Sequence, residues 1–168
     1  MAVTKVIQVA STGVQSEYAG LNASAGAGSA GDFIIADAAG KLNSTFLPNG
    51  VGPDSVTATA GEALVAGDMV YISGTGTILK ADATTPAKAA RGYVLTAVLN
   101  AAAATVFFDE SNTSVSALTP GATYYLSATA GTVTTTPPTT SGQIVQEVGF
   151  AVSATNLHVN IQESITRA

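Results

Sequence analysis

The sequence predicts an all-β protein: a β-barrel or sandwich built from two tandem related β units and preceded by an extended N-terminal arm. Three observations carry this. From Ser55 onward, short runs rich in Val, Ile, Thr, Tyr and Phe recur between Gly, Pro, Asn and Asp, the pattern of a sandwich or barrel. A shift of 54 residues lays one part of that region over another. Residues 1–54 have a different texture, dominated by Gly, Ala and Ser.

Within residues 1–54, the alternating run Val3 to Val9 forms a strand. The tract from Gly20 to Gly31 has few side chains to pack and a high backbone entropy cost. Phe33, Ile34 and Ile35 make a short strand, and Asp37-Ala38-Ala39-Gly40 is a turn with Gly at the position needing positive φ. Phe46-Leu47-Pro48 ends the arm, with Asn49-Gly50 as a further turn.

Residues 55–168 form the β domain. Strands are expected at Val56–Thr59, Met69–Ser73, Thr77–Lys80, Arg91–Val98, Ala103–Phe108, Thr123–Ser127, Thr132–Thr136, Gln143–Val152 and Asn156–Gln162. The best helix candidate is Ala97–Ala104, whose propensity is helical but whose length is marginal and whose flanks are β-branched.

The repeat sets EALVAGDMVYISGT (62–75) over SALTPGATYYLSAT (116–129), with six identities in fourteen positions. It continues through Gly76-Thr77-Ile78 over Gly131-Thr132-Val133 and Gly92-Tyr93 over Gly149-Phe150, so the units span about residues 62–108 and 116–161. Two such units, neither able to cover its own apolar face, close against each other. Gly67 and Gly121 become turn glycines, with Pro120 suited to the position before a positive-φ Gly. Tyr71, Tyr93, Tyr125 and Phe150 become core residues of the two halves.

Composition narrows the function. Charged residues make up 10% of the 168-residue chain and hydrophobic ones 46%, against roughly 25% charged in an average domain. A neutral surface of Thr, Ser, Ala and Gly suits contact with protein. The net charge of −5 and six scattered basic residues argue against nucleic acid. Without Cys there is neither a disulfide nor a thiolate metal site. No run reaches the roughly 18 apolar residues of a membrane span. The start also lacks the features of a secretory signal, so synthesis in a cytoplasm is expected.

Motifs for chemistry are weak. GAGSAG (26–31) matches the dinucleotide fingerprint but lacks a strand before it and a helix after it. The only His, His158, lies in a strand pointing opposite to Leu157 and Val159, with no second His and no nucleophile elbow. Asp109 and Glu110 are adjacent, but most carboxylates sit in expected turns, where Asp bonds nearby backbone. The expectation is a structural or binding protein, not an enzyme, with no catalytic, cofactor or metal residues.

The segments GDFIIADAAGKLNSTFLP, EALVAGDMVYIS and LTPGATYYLSATAGTVTTTPPTTSGQIVQEVGFAVSATNLHVNI resemble phage structural proteins, especially head decoration or cement proteins and related head or tail fibre modules. The resemblance implies a protein on the exterior of a bacteriophage capsid, commonly a homotrimer, that binds the major capsid protein through an N-terminal arm. Val3, Val6, Ile7, Val9, Phe33, Ile34, Ile35, Leu42, Phe46 and Leu47 are then the expected contacts with capsid or sister subunits. The rival expectation is a fibre module recognising a host surface receptor or glycan.

Overall fold

The structure, a computed structural model, describes residues 5–9, 12–30, 32–36, 38, 40–47 and 53–168. The chain divides into two units, Met1–Gly52 and Pro53–Ala168.

In the first unit, β1 (Lys5–Val9) pairs antiparallel with β2 (Gln15–Ala19) as a two-stranded hairpin. β2 was not expected from its sequence, QSEYA, which lacks an apolar alternation. The Gly tract is not wholly extended: Gly26–Ser29 forms a single 3₁₀ turn, entered at positive φ by Gly26. The expected strand at Phe33–Ile35 is not formed. Ile34 makes only one parallel bridge to Leu21, held by Leu21 N–H to Phe33 C=O and Ile35 N–H to Leu21 C=O. Gly40 has the positive φ its turn requires, whereas Asp37, Ala39, Pro48, Asn49 and Gly50 lie outside the described residues.

The second unit is all-β and consists of two five-stranded antiparallel sheets, the sandwich of the two expected alternatives and not a closed barrel. The first contains β3 (Ser55–Thr59), β4 (Met69–Ile72), β5 (Ile78–Lys80), β6 (Gly92–Tyr93) and β7 (Ala103–Phe107), ordered β3-β7-β6-β4-β5. The second contains β8 (Glu110–Asn112), β9 (Thr123–Leu126), β10 (Val133–Thr134), β12 (Glu147–Ser153) and β13 (Asn156–Val159), ordered β8-β13-β12-β9-β10. These orders are the same once each strand is matched to its repeat partner. The repeat therefore extends to β3 and β8, beyond the stretch where the sequences match. A small separate ladder joins β11 (Ile144–Val145) to β14 (Ile165–Thr166).

The halves share one core. Met69, Ala90 and Tyr93 from the first pack with Leu126, Val148, Leu157 and Val159 from the second, all essentially inaccessible. A second cluster, with Leu64, Val70, Ile78, Val94 and Val106, lies within the first half. There, a parallel bridge from Ala60 to Ile78 touches the two ends of the sheet together at one point.

Several expectations are corrected. Arg91–Val98 is not a long strand: only Gly92–Tyr93 is, because the chain then leaves the sheet and returns to bridge Leu64 through Val98. Ala97–Ala104 is not helical. It turns through Ala101 at positive φ and enters β7, where Ala104 and Val106 fill the core. Gln143–Val152 is broken into β11 and β12. Phe150 is not a core residue, being 46% exposed. A register shift between Glu147 and Gly149 buries both Val148 and Gly149 and turns Phe150 outward, as an extra residue in a strand does. Tyr71 and Tyr125 are half-buried, and the buried ring of the second half belongs to Tyr124, opposite Val70 in the repeat.

The turn glycines behave as expected. Gly67 and Gly121 have positive φ in turns closed by Asp68 N–H to Val65 C=O and Ala122 N–H to Thr119 C=O.

Candidate interaction surfaces

The hairpin of the first unit has an open apolar face. Alternation in β1 places Lys5, Ile7 and Val9 together, and Ile7 and Val9 are 70% and 60% exposed. Lys5 reaches Glu17 at 2.8 Å on the same face, in full solvent, where an ion pair contributes little. A two-stranded ladder of this kind is at best marginal in water. Its opposite face is anchored by Tyr18, whose hydroxyl donates to the Asp32 carboxylate. That bond, and the negative charge behind it, raise the Tyr18 pKa. Gly20 lets this strand pass tight against Ile35, since a Cβ there would overlap the Ile35 side chain.

Of the other residues expected to make contacts, Phe33, Ile34, Leu42 and Leu47 are exposed, while Ile35 and Phe46 are half-buried. Val6 lies in β1, and Val3 falls outside the described residues.

On the second unit, the outer face of the β8–β10 sheet carries Phe150 against His158, the rings tilted by 52° with centroids 5.1 Å apart. Ser111 lies across from His158, Thr123 lies across from Phe150, and Val152 stands two residues further along β12. The aromatic pair was missed in the sequence because the bulge at Gly149 is not visible there.

A cavity of about 280 Å³ is bordered by Gly67, Asp68, Ser114, Leu118, Tyr124 and Thr132. Its one carboxylate is already engaged: Asp68 accepts the Val65 N–H at 2.7 Å and faces the Lys80 ammonium at 3.3 Å. The Tyr124 hydroxyl accepts the Thr119 N–H. Each of these bonds stays within its own repeat.

Asp109 and Glu110 are exposed, and Glu110 begins β8. The Asp109 carbonyl accepts the Tyr93 hydroxyl at 2.8 Å. Burial first, then the nearby Glu110 and Asp109 charges, push the Tyr93 phenol up to about 12. Among the described residues, no three His, Asp or Glu side chains gather as a metal site.

No protein-family model matches the chain, and no curated protein matches it.

Proposed function

We propose that the protein is a virion structural protein that decorates the outside of a phage head, gripping the major capsid protein through its N-terminal unit. The observation that supports this most is the β1–β2 hairpin. It presents Ile7 and Val9 to solvent and, among the described residues, has an unpaired strand edge on a ladder too small to be stable alone. Addition to a capsid sheet edge would cover that face and supply main-chain hydrogen bonds without charge. The neutral surface, poor in Lys and Glu, costs less side-chain entropy to bury between subunits. The test is to delete residues 1–31 and measure binding to purified heads. Occupancy should be lost, and undiminished occupancy would sink the role of this unit. Ile7→Asp with Val9→Asp should reproduce the loss in the full chain.

A second reading, a fibre module that binds a surface glycan, draws on exposed Phe150 beside half-buried His158, since sugars stack on ring faces. Copy number per virion separates the two readings: hundreds for a coat protein, few for a fibre. A glycan screen of the native chain against Phe150→Ala tests the aromatic face directly.

A further inference from the structure

The cavity of about 280 Å³ beside the turn at Gly67 is lined by residues of the second unit alone. Its floor is buried and comes from both repeats, with Asp68 from the first and Leu118, Tyr124 and Gly131 from the second. Its rim is exposed, at Ser116 and Ala117.

Two polar groups of the floor have bonding capacity left over. Asp68 is 9% exposed and Tyr124 5%. Both protein contacts of the Asp68 carboxylate fall on Oδ2, which takes the Val65 N–H and faces the Lys80 ammonium. No described residue donates to Oδ1, which lies so close to Gly131 that even a Cβ there would overlap it. Among the described residues, Asn156 Oδ1 is the only unpartnered side-chain polar atom that is fully enclosed. Asp68 Oδ1 is therefore open to small molecules, through the cavity that Asp68 borders. The Tyr124 oxygen accepts the Thr119 N–H, which leaves its own proton without an acceptor among the described residues. Buried groups of this kind need partners, so water or a ligand must meet them. A backbone outlier marks the same place. Ala117, on the rim, holds positive φ despite its side chain, a strained conformation of the kind that clusters at ligand sites.

We propose that this cavity binds a small uncharged polyhydroxy compound, a single sugar ring. Asp68 is the only Asp, Glu, Lys, Arg or His in the lining, and Lys80 neutralises it from outside. An anion would meet a carboxylate with no cation in the lining, and a hard metal ion would lack the several oxygen ligands it requires. A hydroxyl both donates and accepts. Neighbouring hydroxyls of one ring can therefore give a proton to Asp68 Oδ1 and take the one on Tyr124. Leu118, Val115 and Val133 supply an apolar wall for the C–H face of the ring. The volume sits at the lower end of ligand pockets, about 300 Å³, which suits one ring and not an oligosaccharide. Phe150 and His158 do not border the cavity, and the proposal stands whether or not the chain coats a capsid.

Saturation-transfer NMR of the full chain tests this, with glucose, galactose, mannose and N-acetylglucosamine titrated singly, and with inorganic phosphate and methylammonium as charged probes. At least one sugar should bind saturably, and neither charged probe should. Ser116→Trp, a change at an exposed position, should abolish binding by filling the mouth. Tyr124→Phe keeps the buried ring and decides the matter if the tryptophan variant does not fold. It should weaken binding about tenfold, the loss of one hydrogen bond. Circular dichroism establishes that each variant is folded. No saturation with any of the four sugars, phosphate or methylammonium binding as tightly as the best sugar, or binding that a folded Ser116→Trp or Tyr124→Phe leaves unchanged would each overturn the proposal.

Discussion

Replacing Gln146 with Leu should cost the β domain more than almost any other single polar change. Gln146 is 2% exposed. Its Oε1 accepts the Ala90 N–H at 2.8 Å, and its Nε2 donates to the carbonyls of Ala90 at 3.1 Å and Gln162 at 3.0 Å. One side-chain amide thus imitates a strand partner, joining the second repeat to a backbone group of the first. Leu has similar volume and leaves no large cavity, but the N–H and C=O of fully buried Ala90 lose their partner. Each unsatisfied group costs about 1–3 kcal/mol, or about 2–6 kcal/mol for the two. Gln162 is exposed and its carbonyl can turn to water. Greater apolar burial returns about 1–2 kcal/mol, leaving a net loss of about 2.5 kcal/mol at the midpoints of the two ranges. At roughly 4 °C per kcal/mol for a domain of this size, the melting temperature should fall by about 10 °C. Gln146→Glu should be worse at neutral pH, because a carboxylate would face the two carbonyls that Nε2 now serves. Urea unfolding of the full chain, followed by far-UV circular dichroism, reads both variants. A loss under about 1 kcal/mol for Gln146→Leu with an unchanged slope, or a Glu variant more stable than the Leu variant, would refute the assignment.

Gly149→Ala should destabilise by more than Gly121→Ala in thermal melts. Both glycines have positive φ, but a Cβ at Gly149 would overlap the His158 carbonyl, which is backbone and cannot move aside, whereas at Gly121 it meets open space. The Gly121 change should cost only the left-handed backbone penalty, about 1–2 kcal/mol. Asp82 should contribute acid-sensitive stability. Burial is the largest influence on it and opposes ionisation, but bonds from Thr84 and Lys88 together outweigh burial and hold its pKa below the ordinary 3.8. Its contribution is therefore complete above the unfolded value and is lost as pH falls through the lower folded one, so Asp82→Asn should flatten stability measured from pH 5 down to pH 2. Tyr93 has the opposite sign. With a folded pKa of about 12 against an ordinary 10, its contribution is intact below pH 10 and disappears as pH rises through 12, and ultraviolet titration of Tyr93→Phe should lack the last phenolate transition.

Much of the β domain was legible because its information is local or repeated. Runs of β-forming residues in MVYI and TYYL marked β4 and β9, and six matching residues tied the two halves together before any strand order was known. β3 and β8 share no such match, since SVTAT and ESN answer only to the strand beside each of them. The polar joints were hidden for a related reason. Gln146 meets Ala90 across 56 residues, and Asn112 donates to the Gly67 carbonyl across 45, and a lone Gln or Asn carries no periodic signal. In the N-terminal unit, the apolar residues Ile7, Val9, Phe33 and Leu42 stood out by type, but their exposure depends on what packs over them.

The sequence by itself determined a β-rich chain with a duplicated domain and turns fixed at Gly67 and Gly121, because side-chain period and positive-φ demand are properties of a few neighbouring residues. Tertiary structure alone decided that the two sheets form a sandwich and not a closed barrel, and that Phe150 faces out after the bulge at Gly149. Those outcomes depend on which distant strand satisfies each backbone group, and pairing at that range is set by the packing of the whole domain.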